Sequence, residues 1–131
     1  MFTGATLVGK VSGMQVHEEQ IDAGGSPVTV VTVEGFVDAS TVGDLRDTLE
    51  RLVREGRQRF VIGLAGVPFM DSSGLAALVQ TFKRVRIGEG DVRIAGLQDE
   101  VLRVFQLVRL DRVFDLYPDA AAAVASFAEP G

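Results

Sequence analysis

Phe60-Val61-Ile62-Gly63-Leu64-Ala65-Gly66-Val67-Pro68-Phe69-Met70-Asp71-Ser72-Ser73-Gly74-Leu75 is the stretch that decides the fold. Phe60 to Leu64 is a short apolar run, as expected of a strand buried on both faces of a parallel sheet. Pro68 and then Asp71 to Gly74 mark a loop followed by a helix start. Leu75, Leu78, Val79, Phe82 and Val85 recur at helical spacing. Lys83, Arg84 and Arg86 fall near the helix end, where cations suit the dipole. The order strand, loop, helix puts Ser72 and Ser73 at a helix N-terminus, beyond the C-terminal end of a strand. Open α/β sheets place their functional sites at that edge.

Upstream, Met14 to Gln20 alternates roughly and reads as an edge strand, and Val28 to Val33 is rich in β-branched residues and reads as a second strand. Asp22-Ala23-Gly24-Gly25-Ser26-Pro27 is a dense turn signal that joins them as a hairpin. Asp38-Ala39-Ser40-Thr41 offers caps for a helix carrying Val42, Leu45, Leu49, Leu52 and Val53 on one face, ending near Gly56. Downstream, Gly88-Glu89-Gly90 breaks the chain and Asp91 to Ala95 is another strand. Val101, Leu102, Phe105 and Val108 mark a third helix, Val113 to Tyr117 a last short strand, and Asp119 caps an alanine-rich helix to Phe127. Strands alternating with helices imply a mixed sheet of four to five strands with about four helices packed on it. Residues 1–13 show no clear period and are expected to be an N-terminal extension to a single domain over 14–128.

Composition narrows the function classes. The chain has 131 residues, 47% hydrophobic and 24% charged, which is ordinary globular usage and argues against disorder. Cysteine is absent, which removes disulfides and thiolate metal sites, and the single His17 leaves only scattered carboxylates for a metal. The longest apolar stretch, Phe60 to Met70, contains Gly63, Gly66 and Pro68 and is far short of the roughly 20 residues of a membrane span. No basic, apolar leader opens the chain. A cytoplasmic protein that does not engage the membrane is therefore expected. The net charge of −5 divides as −6 over residues 1–50 and +1 over 51–131, without a basic stripe. Direct nucleic-acid binding needs such a stripe. The acidic half either solvates the surface, the commoner case, or faces a basic protein.

The chemistry of Asp71-Ser72-Ser73-Gly74 admits two readings. Asp and Ser are preferred helix caps, and from the tetrapeptide alone capping is the commoner role. A serine at this place is also a suitable phosphate acceptor, because the first amides of a helix lack partners and favour an anion by about 0.3–1 kcal/mol.

Met70-Asp71-Ser72-Ser73-Gly74-Leu75, preceded by Val67-Pro68-Phe69, resembles the signature of the anti-sigma-factor antagonists of the STAS-domain family. Gly35-Phe36-Val37-Asp38 with Ser40-Thr41 resembles the family's G-E-[LIV]-D strand end and loop. Gly88-Glu89-Gly90 falls at its Gly-Gly turn. Val101 to Phe105, Leu110 and Val113-Phe114 resemble its later helix and strand. The resemblance covers about Met14 to Phe127.

It implies a single STAS-like α/β domain whose Ser72 takes phosphate from a partner, with Ser73 the fallback acceptor. It further implies a partner surface of Asp38, Ser40, Thr41, Asp71, Ser72, Ser73, Gly74 and Leu75. The implied partners are an anti-sigma factor with serine kinase activity, which supplies the ATP, and a phosphoserine phosphatase. The unmodified chain would bind the anti-sigma factor and release the sigma factor, and the phosphorylated chain would let go. The chain itself is expected to be no enzyme and to carry no cofactor. Two positions depart from the pattern: Phe36 replaces an acidic residue, and Arg109 stands where glycine is frequent. An exposed Phe36 would suit an interface, whereas a buried one would be ordinary core.

Two rivals remain. A related interaction module of the same fold that is never phosphorylated, in a signalling scaffold or beside a transporter, would share most of these signals. A serine hydrolase is more remote. Its nucleophile elbow needs glycine two residues before the serine, where this chain has Met70, and His17 reads as a surface histidine.

Overall fold

The computed structural model describes residues 4–128. Ten elements follow one another: β1 (Thr6–Val11), β2 (Met14–Ala23), β3 (Ser26–Gly35), α1 (Val42–Arg54), β4 (Arg59–Gly66), α2 (Ser72–Ile87), β5 (Asp91–Ala95), α3 (Asp99–Leu107), β6 (Asp115–Tyr117) and α4 (Ala120–Ser126). A short 3-10 turn, Leu110–Arg112, precedes β6. The six strands form one sheet in the order β1-β2-β3-β4-β5-β6. β1, β2 and β3 run as an antiparallel meander, and β3 to β6 are parallel to one another.

The alternation of side chains builds a core on each face of this sheet. Val31 and Val33 of β3, with Phe60, Ile62 and Leu64 of β4, point to the face covered by α1, α2 and α3. Val28, Val30 and Val61 point to the other face, where Ala123 and Val124 of α4 cover them. Burial on both faces is why β3 and the middle of β4 read as unbroken apolar runs. Phe114 plugs the far end of the larger core, 5.2 Å from Phe82 and 6.2 Å from Phe105 between ring centroids.

Three expectations are corrected. The sheet has six strands rather than four to five, and β2 is not an edge, because β1 pairs along it from Thr6↔Glu18 to Val11↔Met14. Thr6–Val11 lies in the stretch read as an extension; residues 1–3 of that stretch fall outside the described residues. β1 is largely exposed and carries a bulge between Leu7 and Gly9, so it has no inward-facing apolar set for a period to reveal. The final strand is also shorter than expected, since residues 113 and 114 end the 3-10 turn and only Asp115–Tyr117 pairs with β5.

Two positions of positive φ are filled in opposite ways, one by glycine and one by arginine. Gly35 has φ +102°, and a Cβ there would lie 1.9 Å from the Gly13 carbonyl oxygen. Arg109 has φ +64°, a left-handed conformation that glycine adopts more easily. Gly35→Ala should therefore lower unfolding stability by about 2–4 kcal/mol. Arg109→Gly should raise it by up to about 1 kcal/mol. Denaturant midpoints of both variants against the wild type check the two signs.

Candidate functional site

The site forms where the chain leaves β3 and β4. Beyond the sheet proper, Val37 and Met70 make an isolated parallel bridge. Val37 N donates to Phe69 O, and Asp71 N donates to Val37 O, both at 3.0 Å. Val37 and Met70 are buried at 0% and 3% exposure. Their neighbours along each extended segment therefore turn outward, as alternation requires. Two pairs result, Phe36 beside Phe69 and Asp38 beside Asp71.

Each carboxylate is held by its own loop. Asp38 accepts from Ser40 N (2.9 Å), Ser40 Oγ (2.7 Å) and Thr41 N (3.2 Å). These bonds to Ser40 and Thr41 keep its carboxyl below the usual range. Its carbonyl accepts from Thr41 N and Val42 N, so Asp38 starts α1 from a distance. Asp71 caps α2: it accepts from Ser73 N at 2.9 Å and from Ser73 Oγ at 2.5 Å. The Ser73 hydroxyl is the chief cause of its lowered pKa, while the nearby charge of Asp38 pushes the other way. Among the described residues, neither carboxylate has a salt-bridge partner.

This arrangement separates the two serines. The Ser73 hydroxyl is committed to Asp71 and is half-buried, whereas Ser72 is exposed. Among the described residues no hydrogen bond involves the Ser72 hydroxyl, and His17 sits in the middle of β2 between Leu7 and Thr32. The expectation of a ready phosphate cradle needs correction. Asp71 already occupies the Ser73 amide, and the amides of Gly74 and Leu75 donate to the Asp71 carbonyl. An anion on Ser72 would meet a capped helix end and two carboxylates rather than a ring of open N–H groups.

The remaining expected surface residues divide by burial. Ser40 is exposed and Leu75 half-buried. Thr41 is buried, its Oγ1 donating to Phe36 O at 2.9 Å and accepting from Asp38 N at 3.0 Å. Thr41 is thus a strut beneath the surface. Gly74 is buried too, because a Cβ there would come within 2.6 Å of Met70 Cγ and 2.7 Å of Val37 Cγ1. Its lack of a side chain lets the first turn of α2 press on the bridge. Phe69 was missed as a site residue, since an apolar residue beside a buried strand is assigned to core by default. Phe36 and Phe69 are 54% and 49% exposed. Phe69 continues into a groove of about 310 Å³ against α3, lined by Pro68, Met70, Val101, Val104 and Leu107, with Glu100 and Arg103 also on its wall.

Comparison with known proteins agrees with this architecture. The sequence model of the STAS domain matches residues 20–123. The chain belongs to the STAS domain family. The anti-sigma-B factor antagonist of Bacillus subtilis (strain 168) is 31% identical over 86 residues, 66% of this chain and 78% of that protein. The crystal structure of an anti-sigma factor antagonist from Mycobacterium paratuberculosis superposes with a TM-score of 0.80 at 27% identity, covering 88% of this chain and 95% of the other. The phosphorylated form of the Bacillus cell fate determinant SpoIIAA shares the fold, with a TM-score of 0.69 at 17% identity over 86% of this chain and 98% of its own. Among the described residues no helix is long and apolar enough to cross a membrane.

Removing the Asp71 cap should cost about 1 kcal/mol, within the range measured for caps. A carboxyl with a lowered folded pKa stabilises the fold above its unfolded value and loses that contribution as pH falls through the folded one. The stability gap between wild type and Asp71→Ala should therefore be largest near neutrality. It should narrow as the pH drops below the ordinary value of 3.8. Urea titrations of both proteins across pH 2–7 measure the gap.

Proposed function

We propose that this chain is an anti-sigma-factor antagonist that is switched by phosphorylation of Ser72. The observation that carries the reading is the position of Ser72. It is the exposed first residue of α2, its hydroxyl free, beside the Asp38–Asp71 pair and the exposed Phe36–Phe69 pair. The names of its similar proteins support the same reading. The partner in this proposal is a cytoplasmic anti-sigma factor with serine kinase activity, and a phosphoserine phosphatase restores the starting state. Asp38, Ser40, Asp71, Ser72, Ser73 and Leu75 form the contact surface, supported by Thr41 and Gly74 from beneath. In this proposal the domain expected over 14–128, together with β1 of the same sheet, does this work as a rigid body.

The switch acts through charge. A phosphoserine adds about −1.5 to −2 charges. Here it would join two carboxylates that lack cations to offset them. Buried in a contact, such a charge costs about 3–5 kcal/mol when left unpaired, or roughly a hundred- to several-thousand-fold in affinity. The Ser72 side chain has room outside the fold, so nothing in the core needs to rearrange. The aromatic pair supplies the apolar part of the contact, since large exposed aromatics are the usual anchors of interfaces.

Intact-mass and peptide mapping, after incubation with ATP and purified anti-sigma serine kinases of the source organism, tests the assignment. A single phosphate on Ser72, lost in Ser72→Ala and retained in Ser73→Ala, is expected. In binding assays Ser72→Ala should hold the partner like wild type, Ser72→Asp should lose at least a hundredfold, and Phe36→Ala about thirtyfold. No phosphate from kinases active on other antagonists would leave an unphosphorylated interaction module as the correct reading.

A further inference from the structure

Phe36 is an exposed side chain on a backbone that the fold holds in place from three directions. Its amide donates to Gly13 O at 2.9 Å, and its carbonyl accepts from Thr41 Oγ1 at 2.9 Å. Gly35, just before it, lies against the β1–β2 turn so closely that a Cβ would come within 1.9 Å of Gly13 O. Val37, just after it, is locked to Phe69 and Asp71 by the bridge. Thr41 is itself buried and accepts from Asp38 N at 3.0 Å. Three separate parts of the chain thus fix where one exposed ring stands.

A phenylalanine left this far out forfeits much of the burial that would stabilise it in the core. Exposed apolar side chains are common and on their own mean nothing. The setting of this one is different. Its backbone is already ordered, so fixing it in a contact costs only the freedom of two side-chain torsions. Phe69, also about half exposed, flanks the bridge beside it and leads into the groove against α3. Asp38 and Asp71 lie on the other side of the bridge, with no cation paired to them among the described residues. The surface is therefore apolar in one row and anionic in the next. In the G-E-x-D pattern that this segment resembles, the place of Phe36 is held by an acid, so here a ring stands where a similar chain presents a third carboxylate.

We propose that Phe36 is the residue that selects among anti-sigma factors. This chain takes the partner whose docking surface offers an apolar cleft for the ring, with cations beside it for Asp38 and Asp71. The proposal rests on the anti-sigma-factor reading of the same surface. A partner with a polar or charged group in place of the cleft is rejected, because the ring strips that group of water and returns no hydrogen bond. Selection of this kind belongs to the unmodified chain and works by polarity. It is separate from the switch at Ser72, which works by added charge.

Binding of the protein to a panel of purified anti-sigma serine kinases, without ATP so that Ser72 stays unmodified, tests the selection. The panel holds those of the source organism and, as a foreign member, the anti-sigma-B factor of Bacillus subtilis, whose antagonist is similar to this chain. Wild type should favour one member by at least about thirtyfold. Phe36→Glu should lose at least about a hundredfold on that member and less than about threefold on the others. Phe36→Leu, which stays apolar, should remain within about tenfold of wild type throughout. Equal losses for Phe36→Glu on every member, no loss on the favoured one, or as deep a fall for Phe36→Leu as for Phe36→Glu would overturn the proposal. Ser72→Asp on the same panel keeps the two readings apart. If it abolishes binding while Phe36→Glu does not discriminate, the selection alone fails; if no member binds the wild type, both fail.

Discussion

Everything about the candidate surface follows from the bridge between Val37 and Met70. Two loops that leave neighbouring parallel strands are kept in register for one residue beyond the sheet by two 3.0 Å backbone hydrogen bonds. The two bridge residues fill the gap between sheet and helices, and Gly74 allows α2 to close over them. Because the bridge faces inward, the residues on either side must face outward. One stereochemical fact thereby produces an aromatic pair and a carboxylate pair side by side, with Ser72 one step further along. The bridge also sets where α1 and α2 begin, since Asp38 and Asp71 each supply the hydrogen bonds that start a helix.

That dual use of the carboxylates has an electrostatic consequence. Both are held charged by hydroxyl and amide donors of their own loops, and neither is neutralised by a cation. At the helix end that could have welcomed an anion, the amides of Ser73, Gly74 and Leu75 are already bonded to Asp71. A phosphate added at Ser72 gains little from the domain and stays at the surface, where a partner would have to desolvate it. In this account the modification changes what the surface presents and leaves the fold beneath it alone.

The sequence disclosed most of the fold because most elements bury one clear face. Val28 to Val33, Phe60 to Leu64, and the helices built on Leu45, Leu49 and Leu52 or on Leu78 and Val85 each carry the period their burial demands. β1 escaped notice because it buries almost nothing, and β2 was taken for an edge in consequence. At the site, strand, loop and cap are local features, so Ser72 and Ser73 could be placed at the start of α2 from pattern alone. Which serine is free could not be, since that depends on the Ser73 hydroxyl turning toward Asp71. The burial of Thr41 and the exposure of Phe36 and Phe69 were equally out of reach. They are set by the pairing of segments more than thirty positions apart, which a residue's type does not encode.

The most direct test of the account is a comparison of amide NMR spectra of the unmodified protein and the protein phosphorylated on Ser72. The account predicts shifts confined to residues 36–41 and 69–76, with β5, α3 and α4 unchanged. Widespread shifts through those distant elements would contradict it, because they would show that the phosphate acts by reorganising the fold rather than by recharging its surface.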